Sequence, residues 1–201
     1  MRALLALAIL AAVPAVAQPR DAACVVANDD VTRMRLGKDR AGSASRIDLP
    51  GAVARGDAAR SQCSRDDGFM LAYALARIDL SADASRGTRE ARTAMFNTSV
   101  ADLEAIRAKV IAGQSDRLEV FNVLGLIYNS TGQPARSLAV TQSAQPFMAR
   151  MAAPSKQKTL ITQGIAQAQL GQSTPAVKSF DQAKSAGSAQ ADVVRRKILG
   201  R

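Results

Sequence analysis

Residues 118–144 read LEVFNVLGLIYNSTGQPARSLAVTQSA, and this stretch decides the fold. Its large apolar side chains recur at steps of three and four residues, a spacing that is typical of an amphipathic helix. Gly132 then offers a residue that tolerates the left-handed conformation at a helix end, and Pro134 suits the first position of a following helix. The stretch therefore predicts two short helices joined by a tight turn.

The same pattern returns 39 residues further along the chain. The matched positions are Gly125 with Gly164, Gly132 with Gly171, Gln133 with Gln172, and Ala144 with Ala183. Internal repeats of this size predict stacked helical hairpins that bury a shared core between neighbours. Alanine makes up 40 of the 201 residues and only seven are aromatic, which favours helices over strands. We therefore expect an all-α protein.

The two segments, residues 118–151 and 157–190, resemble tetratricopeptide repeats. The positions that carry the resemblance are Phe121, Leu124, Gly125, Tyr128, Gly132, Ser137, Leu138 and Ala144, then Leu160, Gly164, Gly171, Ala176, Val177, Phe180 and Ala183. Thr141 stands where the family has an aromatic residue, and Gln163 and Gln167 replace a leucine and an aromatic. The spacing exceeds the family's 34 residues, so we expect longer helices or a looser connection around residues 152–155. The resemblance implies a tetratricopeptide-like α-solenoid.

Weaker patterns predict further helices outside the two repeats. The expected helices are 24–36, 50–60, 69–80, 100–111 with a short one before it, and a last one that begins near Ala191. We expect a carboxylate of the pair Asp66-Asp67 to cap the third of these, Thr98 or Ser99 to cap the fourth, and residues 116–119 to form a capping box. Residues 65–201 are thus assigned to one repeat domain, in which 66–112 is a candidate for an eroded earlier hairpin.

Residues 1–17 have the pattern of a secretory signal peptide. A basic start is followed by an apolar run of thirteen residues, too short to cross a bilayer, and by a small-residue cleavage site that ends at Ala17. We expect a mature chain from Gln18 that is periplasmic or secreted and has no transmembrane segment. A membrane anchor and a lipoprotein processed at Cys24 are the alternatives, and the residues at 19–21 fit a lipoprotein signal poorly.

Cys24 and Cys63 are the two cysteines of the chain. In an oxidising compartment they are expected to form a disulfide that staples an N-terminal segment, residues 18–64. The alternative is a redox-active thiol pair, which usually has the Cys-x-x-Cys spacing. The thirty-eight intervening residues favour the staple.

The chain contains no histidine, which excludes histidine triads, histidine bases and histidine metal ligands. No phosphate-binding glycine loop or nucleophile motif appears. The acidic pairs Asp29-Asp30 and Asp66-Asp67 suit helix starts better than a metal site or an acid–base dyad. We therefore expect no enzyme, catalytic residue, metal site or cofactor, although carboxylate chemistry stays open in principle.

The resemblance also implies a concave groove lined by the first helix of each hairpin. The residues carried over by position are Glu119, Asn122, Leu126, Asn129, Lys158, Ile161, Ile165 and Gln169. Asparagine side chains offer both a donor and an acceptor to an extended peptide backbone. The alternative is that the two asparagines are solvated and that Leu126 and the isoleucines are plain core.

Residues 118–201 hold ten basic and three acidic residues. This excess predicts an acidic protein or peptide partner, or another polyanion of the cell envelope such as lipid head groups. Export and the scarcity of aromatic residues argue against nucleic acid. A merely solvated surface is the alternative, because arginine outnumbers lysine 20 to 7, as in GC-rich bacterial genomes. The sequence thus predicts a non-enzymatic protein-binding module or, alternatively, a structural piece of an envelope assembly or export machine.

Overall fold

The computed structural model describes residues 21–38 and 41–200, and within them the chain forms nine α-helices and one 3-10 turn. The helices are α1 (Ala22–Leu36), α2 (Leu49–Cys63), α3 (Asp67–Ser81), α4 (Arg89–Ile111), α5 (Val120–Ser130), α6 (Pro134–Ser143), α7 (Ala153–Gln169), α8 (Ser173–Ser185) and α9 (Ala191–Leu199), and the 3-10 turn is Gln145–Phe147. The all-α prediction is confirmed. The predicted signal peptide lies outside the described residues.

The contacts between helices follow the order of the chain. α1 packs on α2, α3 on α4, α5 on α6 and α7 on α8, so the helices form four successive hairpins. The second helix of each hairpin also contacts the helix that follows it, and α1 contacts α3, α5 contacts α7 and α7 contacts α9. The chain is therefore a stack of hairpins closed by a single last helix. Its kinship with tetratricopeptide repeats stays a prediction.

The two C-terminal hairpins form at the predicted glycines. Gly132 and Gly171 end α5 and α7 with φ angles of 70° and 75°, which only glycine adopts without strain. Gly164 faces the Phe180 ring so closely that a Cβ atom there would lie 2.9 Å from a ring carbon. Gly125 on α5 approaches two helices, since a Cβ atom there would lie 3.0 Å from Thr141 Cγ2 of its own hairpin and 2.7 Å from Thr162 Cγ2 of the next. Close approach of two helices thus explains why small residues recur at this position.

The 39-residue repeat is longer than 34 residues because it contains both a longer helix and a longer connection. α7 has 17 residues where α5 has 11. The connection runs from Ala144 to Ala152 and includes the 3-10 turn, so it lies earlier than the predicted 152–155. The turn places Phe147 against Phe121, with the ring centroids 5.6 Å apart. An aromatic residue from the connection therefore packs against the core, while Thr141, at the family's aromatic position, is buried in α6.

Two predictions about helix starts are wrong. α4 is a single helix from Arg89, capped by Thr88, whose Oγ1 accepts from the Ala91 amide at 3.2 Å. Thr98 and Ser99 lie inside it, and their hydroxyls donate to backbone carbonyls four residues earlier, a pattern that fits helix interiors as well as ends. The capping box predicted at residues 116–119 is wrong, because α5 begins at Val120 with Glu119 at its N-cap position, where the predicted box needs Asp116.

The N-terminal half contains the predicted disulfide. Cys24 in α1 and Cys63 in α2 are bonded, with a Cα–Cα distance of 5.4 Å. Asp66 caps α3 as expected, since its Oδ1 accepts from the Phe69 amide at 2.8 Å. In the part of the chain that the structure describes, every helix is too short or too polar to cross a membrane.

Candidate functional site

The eight residues predicted to line a groove lie on or just before α5 and α7, but the structure does not expose them equally. Leu126 is 45% exposed, and Lys158 and Gln169 are also exposed. Glu119, Ile161 and Ile165 are half-buried. Asn122 and Asn129 are only 7% and 8% exposed. The set therefore divides into an open part and a closed part.

The two asparagines join the hairpins instead of facing an open groove. Thr162 Oγ1 donates to Asn122 Oδ1 at 3.1 Å, and Asn129 Nδ2 donates to the Thr162 carbonyl at 3.0 Å. Residues seven apart lie on one stripe of a helix, and this stripe of α5 faces α7. The structure thus corrects the expectation that these amides are free to bind a peptide, and also the alternative that they are solvated.

Apart from the N-cap residue of α5, the other residues of the predicted set lie on α7 and at one position of α5, and Lys158 and Gln169 are about 17 Å apart along the axis of α7. Since Asn122 and Asn129 both reach Thr162, Leu126 between them is level with Thr162 on the neighbouring helix. Ile161 and Ile165 adjoin Thr162 on α7, one on each side along the helix. Here we call Leu126, Lys158, Ile161, Ile165 and Gln169 the first-helix face. It presents apolar surface next to a lysine.

A second surface, which the sequence analysis missed, runs along α8. A cavity of about 710 Å³ lies between α8, the start of α7 and the 3-10 turn. Its lining consists of Gln145, Met148, Lys156, Leu160, Thr174, Val177, Lys178, Asp181, Gln182, Ser185 and Ala186. We call it the α8 groove. The signal in the sequence that could have revealed it is the recurrence of the lining residues at steps of three and four between Thr174 and Ser185.

The ion pairs of the C-terminal half use all of its carboxylates. Asp181 pairs with Arg195 at 2.9 Å, and Asp192 pairs with Lys184 at 2.8 Å. Glu119 lies 3.9 Å from Arg117. The Lys184 ammonium group holds the pKa of the Asp192 carboxyl below its usual value. Among residues 118–200, the other basic side chains form no ion pair with a carboxylate of this half.

A polar cluster joins α4 to the α5–α6 hairpin beside a cavity of about 460 Å³. Tyr128 Oη donates to Glu104 Oε1 at 2.6 Å and accepts from Arg136 Nη2 at 2.8 Å. Arg107 Nε donates to the other oxygen of Glu104 at 2.6 Å. Burial and the hydrogen bond to Glu104 raise the pKa of Tyr128 to about 12.

This cluster has the chemistry of a structural joint. With its pKa raised to about 12, the Tyr128 hydroxyl keeps its proton at neutral pH and stays a donor to Glu104. Both oxygens of Glu104 are hydrogen-bonded within the protein. Residues 21–38 and 41–200 hold no group of three or more His, Cys, Asp or Glu side chains arranged to bind a metal ion.

Comparison of the chain with protein-family models, with curated proteins and with solved structures finds no match. The function of this protein is therefore inferred from its own residues.

Proposed function

We propose that this protein is an exported, non-catalytic binding protein whose basic C-terminal half docks onto an acidic partner protein. The resemblance of residues 118–151 and 157–190 to tetratricopeptide repeats is one support, because that family binds proteins and peptides through stacked hairpins. The corrected first-helix face is the surface through which docking takes place.

The observation that carries the proposal is the uncompensated charge of the C-terminal half. Its three carboxylates are all in ion pairs, while Lys158, Lys178 and Arg196 have no ion pair among the described residues. Such an excess raises the association rate and the specificity for surfaces of opposite sign. The first-helix face adds apolar contact, since Leu126 is 45% exposed, although Ile161 packs partly against the cluster of Leu160, Ala183 and Ala191. A partner that combines an apolar anchor with carboxylates satisfies both features.

Binding is tested by photo-crosslinking in living cells. A photo-reactive residue at Leu126 or Gln169 is expected to trap one acidic protein, and the reversal of charge Lys158→Glu is expected to reduce that adduct several-fold. Thr98, which is exposed on α4, is the matched control position. An absence of adducts above the Thr98 level contradicts the proposal. An adduct with an envelope component that is indifferent to Lys158→Glu favours the structural role instead.

Export is the second part of the proposal, and the Cys24–Cys63 disulfide supports it, because such bonds persist mainly in oxidising compartments. We expect the mature protein to begin at Gln18, which N-terminal sequencing of the purified native protein measures directly. A mature chain that begins at a lipid-modified Cys24 contradicts this expectation, since the sulfur of that residue is then not available for the disulfide.

A further inference from the structure

The α8 groove is long enough to hold a short helix. The α8 residues that line it run from Thr174 to Ser185, eleven positions apart, and so extend about 17 Å along the helix axis. They recur at steps of three and four, which places them on one face of α8. An elongated surface of this kind fits a chain segment better than a compact small molecule.

The groove is open because α6 ends early. α6 has 10 residues and stops at Ser143, where α8 has 13. The chain then enters the 3-10 turn, in which Phe147 stacks on Phe121. Only Gln145 and Met148 of this connection line the groove, opposite α8. The cavity of about 710 Å³ therefore lies between α8 and this connection.

The base of the groove is apolar and its rim is basic. Met148, Leu160 and Val177 supply the apolar surface. Lys156 and Lys178 stand among the lining residues and form no ion pair with any residue in the described ranges. The one carboxylate of the lining, Asp181, is already held by Arg195 at 2.9 Å. The free charge of the groove is thus positive.

We propose that the α8 groove binds an amphipathic helical segment of the acidic partner, about three turns long, with an apolar stripe flanked by Asp or Glu. The inference rests on the proposed function, and it adds a second contact surface and the chemistry of the bound segment. The apolar stripe packs against Met148, Leu160 and Val177, as helices pack into grooves on other helical proteins. The flanking carboxylates approach Lys156 and Lys178.

The test uses a fluorescent synthetic peptide of twelve residues, with leucines at positions i, i+3, i+4 and i+7 and glutamates beside them, measured by anisotropy. Two further probes have lysine in place of every glutamate, or the same composition in scrambled order. We expect the acidic amphipathic peptide to bind in preference to both. The double variant Lys156→Glu and Lys178→Glu is expected to weaken binding about tenfold, since each reversal replaces an attraction with a repulsion at a rim.

The matched control is the double variant Arg89→Glu and Lys197→Glu, which changes the net charge equally at exposed residues outside both the groove and the first-helix face. It is expected to leave the affinity of the peptide within about twofold. Val177→Gln tests the apolar base separately and is expected to weaken binding without changing the charge. Circular dichroism and the urea midpoint of each variant verify the fold.

Several results overturn the inference. Equal binding of the lysine peptide, or an equal loss in both double variants, shows that the peptide binds without occupying the groove. If Lys158→Glu loses the peptide and the groove double variant retains it, the peptide binds the first-helix face, which contradicts the groove and supports the proposed function. Peptide binding at the groove together with an absence of crosslinks at Leu126 and Gln169 supports the groove and contradicts docking through the first-helix face. Self-association of the free protein that Val177→Gln abolishes assigns the groove to a second copy of the chain.

Discussion

The N-terminal hairpins, α1 to α4, and the C-terminal hairpins, α5 to α8, share an architecture but are held together differently. In the N-terminal half, ion pairs connect neighbouring helices. These pairs are Arg55–Asp30 at 3.2 Å, Arg35–Asp79 at 2.6 Å, Arg77–Asp102 at 3.1 Å and Lys109–Asp67 at 2.7 Å. The disulfide adds a covalent link between α1 and α2.

In the C-terminal half the contacts between hairpins are uncharged. Hydrogen bonds of Thr162 with Asn122 and Asn129 join α5 to α7, and Gly125 allows the two helices to pack closely. Gly164 allows close packing of α7 against Phe180 within its own hairpin. Its ion pairs that cross helices, Asp181–Arg195 and Lys184–Asp192, connect α8 to α9. The difference teaches that the first half uses charge to join its helices, whereas the second half keeps an excess of basic side chains, which the proposed function assigns to a partner.

Removal of the disulfide is expected to have the largest effect. The double variant Cys24→Ala and Cys63→Ala opens a loop of 39 residues, which the chain-entropy model values at about 4 kcal/mol of unfolding free energy. Urea denaturation measures the loss, and Ser64→Ala at an exposed neighbouring position serves as the control. An unchanged urea midpoint contradicts a stapling role for the bond.

The buried ion pair comes next. Arg77→Met leaves Asp102 without its partner, and the two side chains are only 6% and 19% exposed. We expect a loss of about 3 kcal/mol, because an unpaired carboxylate is left largely away from water. Arg86→Met, in the exposed pair with Asp83, is the control and is expected to cost less than about 1 kcal/mol. Equal effects of the two variants indicate that the buried charge is not structural.

The double variant Asn122→Ala and Asn129→Ala is expected to lower the stability by about 2 kcal/mol, since it removes both hydrogen bonds to Thr162. The loss stays modest because Asn129 Oδ1, although buried, has no hydrogen-bond partner in the structure. Urea denaturation measures it, with the exposed Gln169→Ala as control. Weaker partner binding at unchanged stability returns the asparagines to a binding groove.

The smallest expected effect is that of Tyr128→Phe, about 1 kcal/mol at neutral pH, because one hydroxyl group leaves the cluster with Glu104 and Arg136. The pKa of Tyr128 is raised from 10.0 to about 12 in the folded protein. The unfolded chain therefore ionises first, and this contribution to stability is complete below pH 10 and is lost as the pH rises toward 12.

The pH dependence gives the sharper measurement. Urea denaturation at increasing pH is expected to show a steeper loss of stability for the native protein than for Tyr128→Phe. Tyr73, whose pKa burial also raises, contributes the same slope to both proteins. Parallel profiles of the two proteins contradict the assignment of the slope to Tyr128.

Much of the local structure was predictable from the sequence. α1, α2 and α3 lie within a few residues of their expected positions, and the turns after α5 and α7 occur at Gly132 and Gly171. The start of α4 was missed, because Thr98 and Ser99 have the residue types of a cap but bond within the helix. The buried part of the candidate site was missed because a polar side chain on the first helix of a hairpin was assumed to face water.

The sequence by itself determined that the chain is helical, where its glycine turns lie, which cysteines are able to pair and which half is basic, because periodicity, backbone freedom and charge are properties of residues close along the chain. Only the tertiary structure decided that Asn122 and Asn129 face Thr162, that Phe147 stacks on Phe121 and that α8 keeps an open face. Those outcomes depend on how far each hairpin extends and on the angle at which it meets the next, and residues distant in sequence set both.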